Sequence, residues 1–498
     1  MPAASFEDVL ATVTRLQARV LELEAEAARL PTLRARVAEL EAENAELRAE
    51  NTELRRRVGM DSGNSSKPPS SDGPDKAPPT SLRKKTGRKS GGQPGRAGSR
   101  LEQVADPDQT VVHRPAVCGG CAATLGADAP VAGAPVVRQV FDLPEIVVEV
   151  TEHQLLAVTC GCGHTTRAAA PERAAGPTNL GDGITAVAVY LSTAQMIPLE
   201  RIAETIEALY GIRVSTGWVS LALARAEAAL KPATEEIKKQ IAGSGTAFFD
   251  ESMTTVCGKR AWFHTAATDT LTAYHADADG RGLDAMTAFG ILDDFTGVAV
   301  HDAYAAYYSD VINQDGLIHA LCVVHIQREA RGIAEHDPAA KRDGWAAGLD
   351  ELIGNLFRWR DTYRDDGHEQ LPPFKLAKIT REWDDLLARA LVVHPHQPGR
   401  AGGQTHARRL AVRLRDRKED YLRWLGDFAV PATNNVAEQS VRMIKTKTKT
   451  SGGFRTLAGL QQFLTIRGYL DTLRKNGRHI ITELRHALQG NAWVPVPA

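Results

Sequence analysis

The sequence predicts a multi-domain protein whose modules precede and surround a larger α/β domain. Three observations support this: leucine heptads before residue 60, two close cysteine pairs between residues 118 and 162, and two apolar, strand-like runs that lead to acids at 250 and 302. With 498 residues, of which 43% are hydrophobic, the chain can bury several cores. We therefore expect about three domains or more.

Residues 1–60 are expected to form a coiled coil that makes a homodimer or higher oligomer. One seam position holds only leucine, and the other holds valine and asparagine, an arrangement typical of parallel two-stranded coils. The first set is Leu33, Leu40, Leu47 and Leu54; the second is Val37, Asn44, Asn51 and Val58. Leu16, Leu23 and Leu30 continue the pattern in a shifted frame, and Pro31 at the shift is expected to kink or break the helix. A solvated or intramolecular helix is the alternative.

Residues 61–106 have the composition of a flexible linker, because Ser, Pro, Gly and Lys cannot bury a core. Residues 82–100 contain seven basic residues and no acid. The charge of the whole chain is near neutral, but a local basic segment can still follow a phosphate backbone. We expect DNA contacts from Arg83, Lys84, Lys85, Arg88 and Lys89.

Residues 107–175 are expected to form a zinc-binding module. Cys118 and Cys121 have the spacing of a zinc knuckle, and Cys160 and Cys162 form a tighter second pair. Four thiolates complete a tetrahedral shell for structural Zn²⁺, although His164 could replace one of the later cysteines. Strands are expected at 145–150 and 154–158. The two remaining cysteines, Cys257 and Cys322, are expected to be buried apolar residues.

Residues 180–242 are expected to form a helix-turn-helix-like DNA-binding region. Gly211 breaks a first helix, and Ser215 or Thr216 can cap a second. The first apolar face comprises Ile202, Ile206 and Leu209; the second comprises Trp218, Leu221, Leu223 and Ala224. The plausible DNA contacts are Arg213, Ser220 and Arg225. A plain helical hairpin is the alternative.

Three acids are candidates for a metal-binding catalytic site. Asp250 and Asp302 each follow an apolar run, so each is expected where a strand leaves the core. Glu438 is expected on a helix capped by Asn434 or Asn435. Carboxylates at adjacent strand ends and on a following helix can converge on two cations. Taken singly, each acid could be an ordinary turn or cap residue.

The predicted Glu438 helix also carries a basic stripe. Arg442, Lys445 and Lys449 follow Glu438 at steps of four, three and four residues and therefore share its face. Together with Lys447 they are expected to neutralise DNA phosphates. A solvated, salt-bridged surface is the alternative interpretation.

These motifs resemble those of the bacterial insertion-sequence 66 family of transposases. The resemblance rests on Asp250-Glu251, Asp302-Ala303-Tyr304, Cys322-Val-Val-His325 with Arg328, the segment from Asn434 to Glu438, and the turn from Ser451 to Phe454. It spans nearly the whole chain. Gly95-Arg96-Ala97-Gly98 departs from it, because a histidine is expected after the glycine.

The resemblance implies a ribonuclease-H-like Asp-Asp-Glu catalytic domain at 243–455 and a C-terminal helical element at 456–498. Within the catalytic domain, Asp250, Asp302 and Glu438 would bind Mg²⁺ or Mn²⁺, with His325 and Arg328 as possible accessory residues. The long interval between Asp302 and Glu438 predicts a mainly helical insertion at about 330–425, with a loop near Pro395–Gly403.

The expected function is therefore cleavage of DNA at the terminal inverted repeats of a mobile element and strand transfer into target DNA, with accessory proteins encoded beside it. The sequence lacks an apolar stretch of about twenty residues, so no membrane partner is expected. A cytoplasmic, nucleoid-associated location follows from this interpretation. Two alternatives remain, a DNA-binding regulator without catalysis and a nuclease or resolvase with the same core.

Overall fold

A computed structural model describes residues 6–58, 101–144, 146, 148–278, 280–312, 317–396, 398 and 404–496. The chain forms two compact units. One comprises Met1–Pro79, Thr178–Ala203 and Val214–Ala498, and the other comprises Thr80–Pro177 and Glu204–Arg213. No helix in the described ranges is long and apolar enough to cross a membrane.

The N-terminal helix α1 spans Phe6–Val58. It continues through Pro31, so the possible break predicted there is wrong. Strong helix formers on both sides outweigh the single hydrogen bond that a proline removes. The seam leucines are exposed in the single chain, 43% for Leu40 and 59% for Leu33. Dimerisation through this seam remains a prediction, and the basic residues from 83 to 89 lie outside the described residues.

The cysteine-containing unit has little regular structure. Strands β1 (Ala157–Thr159) and β2 (Thr165–Arg167) form a short antiparallel hairpin, followed by a 3-10 turn at Glu172–Ala174. The strand expected at 145–150 is absent from the described part of that segment, and the strand expected at 154–158 is shifted to 157–159. Nearly all residues of this segment are exposed, so no core selects a longer pairing.

The unit that contains Val214–Ala498, called the sheet unit below, is built on a five-stranded mixed sheet. Its strands are β3 (Thr246–Val256), β4 (Lys259–Ala267), β5 (Thr272–Asp277), β6 (Val298–His301) and β7 (Ile318–Leu321). The spatial order is β5-β4-β3-β6-β7. The first three strands form an antiparallel meander, and β6 and β7 run parallel to β3.

One core of the sheet unit is formed with helices from both ends of this unit. These are α2 (Asp182–Val189), which continues as a π-helical turn at Tyr190–Ala194, α4 (Thr216–Ala242), α5 (Leu283–Phe289), α13 (Leu457–Lys475) and α14 (Ile480–Leu488). Gly468 of α13 approaches β5 so closely that an added Cβ would lie 3.1 Å from the Thr272 carbonyl oxygen. The C-terminal helices therefore pack in the same core as the sheet.

A second, helical core is formed with β6 and β7. Between β7 and Asn434 the chain forms α6 (Val323–His336), α7 (Pro338–Asp343), α8 (Trp345–Asp365), α9 (Pro373–Val393), α10 (His406–Asp416) and α11 (Lys418–Gly426). Trp345, Trp383 and Trp424 are fully buried in this core. Most of the predicted loop around Pro395–Gly403 lies outside the described residues.

The predicted helical hairpin corresponds to α3 (Leu199–Tyr210) and α4. Ser215 caps α4 by accepting a hydrogen bond from the Trp218 amide, as predicted. The predicted buried face of α4 is wrong at two positions, because Leu221 and Ala224 are exposed. The buried face instead begins with Val219, Ala222, Leu223 and Ala226 and runs the full 27-residue helix. Leu209 of α3 is also 49% exposed.

Candidate active site

Asp250, within β3, and Asp302, just after the end of β6, lie near the same level. Asp250 is not at a strand end as predicted, since β3 continues for six residues beyond it, paired with β4. Its pairing with β6 does stop there, because Phe248 pairs with Val300 and β6 ends at His301. Asp250 lies two residues after Phe248, and Asp302 lies two residues after Val300. Equal steps along parallel strands about 4.8 Å apart bring both aspartates to the same level.

Asp302 lies in a turn with an unusual backbone. It is exposed, and its Oδ1 accepts a hydrogen bond from the Tyr304 amide at 3.0 Å. The next residue, Ala303, has a φ of 73°, which is uncommon for a residue with a Cβ. Such strain persists only where surrounding contacts impose it, and it often occurs at functional sites. The turn holds Asp302 at the rim of the sheet.

The helix that carries Glu438 is attached to β3 at both ends. This helix, α12, spans Asn435–Ser451. At its start, the buried Asn434 donates from Nδ2 to the Phe249 carbonyl oxygen at 2.7 Å. Asn434 stands at the N-cap position, but its side chain does not cap the helix, so the predicted capping role is wrong. The amide instead ties α12 to the residue that precedes Asp250.

The turn after α12 forms the second attachment. Gly452 and Gly453 have φ values of 74° and 93°, and the Phe454 amide donates to the Thr255 carbonyl oxygen at 2.9 Å. The Cys257 amide in turn donates to the Phe454 carbonyl oxygen at 2.7 Å. An added Cβ on Gly453 would lie 2.3 Å from the Thr255 hydroxyl oxygen, so only glycine fits this approach.

These two attachments bring Glu438 close to Asp250. A helix of 17 residues is about 25 Å long, and the strand from Phe249 to Val256 covers about 23 Å. Helix and strand therefore run side by side in the same direction. Glu438 lies about 6 Å along the helix from Asn434, and Asp250 lies about 3 Å along the strand from Phe249. The two carboxylates are consequently near the same level.

Electrostatics also indicates a cluster of carboxylates. Burial raises the pKa of Asp250 to about 7, and repulsion from Asp302 and Glu438 adds to this effect. His325 and Lys445 act in the opposite direction. A charged carboxylate is disfavoured when it is desolvated beside like charges. The carboxylate of Asp250 is thus close enough to Asp302 and Glu438, which lie 52 and 188 residues later in the chain, for their charges to interact.

Cys322 and His325 complete the site on the side of Glu438. Ligand atoms of Cys322, His325 and Glu438 lie within 4.8 Å of one another, and His325 Nε2 is 3.7 Å from Glu438 Oε1. Burial would lower the pKa of His325, but Cys322, Glu438 and Asp302 raise it to about 10. Cys322 is buried as predicted, whereas Cys257 is exposed, so the prediction of a buried residue is wrong for Cys257.

Arg328 lies one helical turn beyond His325 on α6. Its side chain is half-buried and forms no hydrogen bond or ion pair with any residue in the described ranges. Glu251, next to Asp250, points to the other face of β3, as alternation along a strand requires. It accepts a hydrogen bond from the Tyr307 hydroxyl at 3.2 Å, and burial raises its pKa well above the usual value.

The basic residues of α12 divide into two groups. Lys445 is half-buried near Asp250; burial lowers its pKa, and attraction to Asp250 opposes this. Arg442 and Lys449 are exposed on the same face. Lys447 differs, because its ammonium lies 5.9 Å from the centroid of the Phe463 ring and burial lowers its pKa. The structure therefore directs Lys447 away from the stripe that the other three share.

The cysteine pairs form two separate knuckles. Backbone amides of Cys121 and Gly120 lower the pKa of Cys118, and the Cys162 amide has the same effect on Cys160. The turns bend at Ala122 and Gly163, which have positive φ values. Among the described residues, the four sulfur atoms do not form one group of the size seen at Cys322, His325 and Glu438. Zinc binding by these four cysteines remains a prediction.

The predicted contacts of the helical hairpin are largely engaged within the protein. Arg213 forms an ion pair with Glu207, and Arg225 forms one with Asp182. Ser220 is exposed. DNA reading by α4 would therefore require two ion pairs to open.

Comparison with known proteins identifies the family. The model of the Transposase IS66 family matches residues 178–462, which is more than half of the chain. The chain belongs to this family. This match confirms the resemblance that was predicted from the sequence. The matched residues of this IS66-family transposase include Asp250, Asp302 and Glu438. Residues 13–102 match a family of unknown function, DUF6444. No curated protein matches the chain.

Family membership makes this protein a DNA-processing enzyme. A transposase binds DNA, and the Asp-Asp-Glu transposases use divalent metal ions. The matched region begins just before α2 and ends inside α13, so it contains the sheet and the helical core but neither the cysteine pairs nor α1.

Proposed function

We propose that this IS66-family protein is an Asp-Asp-Glu transposase that cuts DNA at the ends of its element and joins the freed 3′ ends to target DNA. The observation that carries the proposal is the convergence of Asp250, Asp302 and Glu438, through strand register and the two attachments of α12. The sheet order supports a ribonuclease-H-like core, in which an antiparallel meander is followed by two strands parallel to its first strand.

The three carboxylates fit divalent cations. Burial and, after it, repulsion from Asp302 and Glu438 raise the pKa of Asp250, and a bound cation would remove that repulsion. Carboxylate oxygens are the ligands that Mg²⁺ and Mn²⁺ prefer. Cys322 and His325 are softer ligands, and their ligand atoms group with that of Glu438. We therefore assign the catalytic cations to the Asp-Asp-Glu set.

The chain's own residues would position the DNA and the carboxylates. When bound, the cations would supply a water or 3′ hydroxyl of lowered pKa and stabilise charge on the attacking and leaving oxygens. His325 would hold Glu438 in place by charge attraction across 3.7 Å. Lys445 would contact a phosphate beside Asp250, while Arg442 and Lys449 would extend that contact along the strand. Arg328 has its guanidinium available for the same purpose.

The modules outside the sheet would organise the DNA complex. The exposed seam of α1 would pair two or more chains, and the two cysteine knuckles would share one structural Zn²⁺. The basic segment at 83–89 would follow the phosphate backbone, and the hairpin of α3 and α4 would contribute DNA contacts. Accessory proteins of the same element would assist.

A plasmid carrying the DNA that flanks the coding region on both sides tests this function. The wild-type chain with Mg²⁺ should nick this plasmid and give strand-transfer products with a second plasmid. Asp250→Asn, Asp302→Asn and Glu438→Gln should each reduce nicking at least about 10³-fold, because transition-state charge loses its stabilisation. The affinity for the same DNA should change by less than about twofold, which corresponds to a few tenths of a kcal/mol in binding free energy.

The matched control is Asp284→Asn, which changes an exposed acid on α5 of the same unit. It should retain full activity. Undiminished nicking by Asp250→Asn would overturn the assignment of the site. Nicking without strand transfer would favour a nuclease or resolvase, and binding without nicking would favour a regulator.

A further inference from the structure

A basic cavity lies beside the active site, outside the stripe of α12. It has a volume of about 380 Å³ and opens between α10 and the turn that follows β6. Its lining includes four arginines, Arg408, Arg409, Arg413 and Arg417, one acid, Asp416, and Ala303 and Ala305 of the turn. Part of its wall is therefore the residue that follows Asp302.

Three of the four arginines retain an uncompensated charge. Arg408 donates to the His394 carbonyl oxygen at 2.8 Å, Arg409 to that of Gln404 at 2.8 Å, and Arg417 to that of Ala303 at 2.9 Å. None of the three forms an ion pair with a carboxylate in the described ranges. A carbonyl partner fixes a guanidinium but leaves its charge and its remaining N–H donors for another acceptor.

The acids near the cavity are already paired. Glu329 binds Arg413 at 2.7 Å, and Asp416 binds Arg415 at 2.8 Å. Arg408 and Arg409 lie outside the buried face of the helix, which consists of Ala407, Leu410, Ala411 and Leu414. Concentrating unpaired guanidinium groups in one concave site is unfavourable unless an anion binds there.

A hydrogen bond connects the cavity to the turn that contains Asp302. Arg417 holds the carbonyl of Ala303, whose φ of 73° marks the strained residue after Asp302. The same guanidinium lies 3.6 Å from the centroid of the Tyr308 ring, which limits its movement. An anion bound in the cavity would thus lie next to the DNA strand at the active site.

We propose that this cavity binds the phosphodiester backbone of DNA beside the active site, as a contact separate from the α12 stripe. The inference rests on the proposed function only in that the anion is taken to be DNA. Repeated phosphates match the several separate guanidinium groups, each of which can form a bidentate contact. α10 would therefore be a DNA-binding helix of the insertion.

Salt-dependent binding tests the proposal. Wild-type chain and the Arg409→Gln variant, with Mg²⁺ omitted, are titrated against a fluorescein-labelled 30-base-pair duplex of arbitrary sequence at several salt concentrations. Loss of one phosphate contact should reduce the slope of log K against log salt by about 0.9. The Arg408→Gln/Arg409→Gln double variant should reduce it by about 1.8 and weaken binding about tenfold near 0.15 M salt.

Arg381→Gln is the matched control. Arg381 is exposed on α9 and, like Arg409, donates to a backbone carbonyl, that of Ala377 at 3.3 Å. It does not line the cavity. Its variant should keep the wild-type slope. Equal slopes for Arg409→Gln and the wild type, or equal losses for Arg409→Gln and Arg381→Gln, would overturn the proposal.

A second measurement avoids any dependence on how the variants fold. Phenylglyoxal modifies accessible arginines, and mass spectrometry of the wild-type chain locates the modified sites. The 30-base-pair duplex should protect Arg408 and Arg409 at least about fivefold and leave Arg381 unprotected, while an acidic peptide such as poly-glutamate should protect neither. Equal modification with and without DNA would overturn the proposal, as would stronger protection by the peptide.

The outcome is separable from that of the proposed function. If the wild-type chain fails to nick DNA but Arg409 still affects binding, the cavity remains a DNA site and only the catalytic proposal fails. If nicking depends on Asp250 while the double variant binds and nicks like the wild type, the catalytic proposal stands and the cavity has no DNA role.

Discussion

The sheet around Asp250 and the cysteine region between 101 and 177 differ in what holds them together. Around Asp250, side chains are positioned by a five-stranded register and by buried cores on the neighbouring helices. Between 101 and 177, a three-residue hairpin and two tight turns connect residues that are almost all exposed. A domain with so little buried apolar area needs a metal or a disulfide for stability.

In the cysteine region a bound metal ion would stabilise the fold, whereas at the three carboxylates it would serve the chemistry. Packing brings Asp250, Asp302 and Glu438 together, so the sheet should fold without a cation. The cysteine knuckles lack such packing, and their metal would itself supply the folding free energy.

The largest expected effect follows from removing zinc. Treatment of the intact chain with a strong zinc chelator should increase the rate of tryptic cleavage within 101–177 at least about tenfold, because structural zinc contributes about 10 kcal/mol or more to small modules. The fragment that contains the sheet should survive unchanged. Limited proteolysis followed by mass spectrometry gives both rates.

Cys118→Ser should reproduce the effect of the chelator and lower the zinc content, which plasma emission spectroscopy measures. Cys257→Ser is the control, since Cys257 is exposed and lies in the sheet unit. An unchanged cleavage pattern after chelation would contradict the contrast between the two regions.

The next effect concerns the turn after α12. Gly453→Ala should lower the free energy of unfolding by about 2–4 kcal/mol, because the new Cβ would collide with Thr255 and favour a negative φ. Urea unfolding of the sheet unit measures this loss. Gly354→Ala offers the comparison, since that glycine lies within α8 with open space around it and should gain up to about 1 kcal/mol.

A pH effect should be confined to the sheet region. Burial lowers the pKa of His264 to about 4, with repulsion from His275 as a smaller cause. Its unfolded value is near 6.5, so between pH 6.5 and 4 the unfolded chain binds a proton that the folded chain does not. Stability should therefore fall on acidification through this window, by about 3 kcal/mol from this group.

His264→Gln should show a shallower loss of stability between pH 6.5 and 4 than the wild type, measured by urea unfolding at each pH. Cysteine-region cleavage should not respond to this substitution. Parallel pH profiles for the variant and the wild type would contradict the burial argument for His264.

The smallest effect is expected at the start of α12. Asn434→Ala should lower stability by about 1–3 kcal/mol, because the buried Phe249 carbonyl loses its donor. The nicking rate should fall by more than the loss of stability explains, because Glu438 is then no longer held near the level of Asp250. Asn435→Ala, at the adjacent exposed position, should change stability by less than about 0.5 kcal/mol. Equal activity of the two variants at low temperature would show that the tether does not position Glu438.

Local patterns were sufficient to predict several features. The cap at Ser215, the face shared by Glu438, Arg442, Lys445 and Lys449, and the family itself depend on spacing between nearby residues or on contiguous motifs. Such features are visible in sequence because helical periodicity and capping act over three to seven residues.

Other predictions failed where distant residues compete for the same group. Asn434 or Asn435 was expected to cap α12, but the side-chain amide of Asn434 donates to the Phe249 carbonyl oxygen, 185 residues earlier. Leu221 was expected in the core, but helices from the C-terminus cover another face of α4. Asp250 was expected at a strand end, but β4 extends the pairing of β3 beyond it.

The sequence by itself determined which chemical groups this protein has: three acids, a basic helical stripe and two pairs of thiols, each recognisable from residue type and spacing. Only the tertiary structure decided which of them meet. Register between β3 and β6, and the attachments of α12, depend on packing between segments separated by about 50 to 190 residues, for which local spacing carries no signal. The arginine cavity beside Asp302 is the clearest case, because nothing near Arg409 in the chain indicates that the turn after β6 lies next to it.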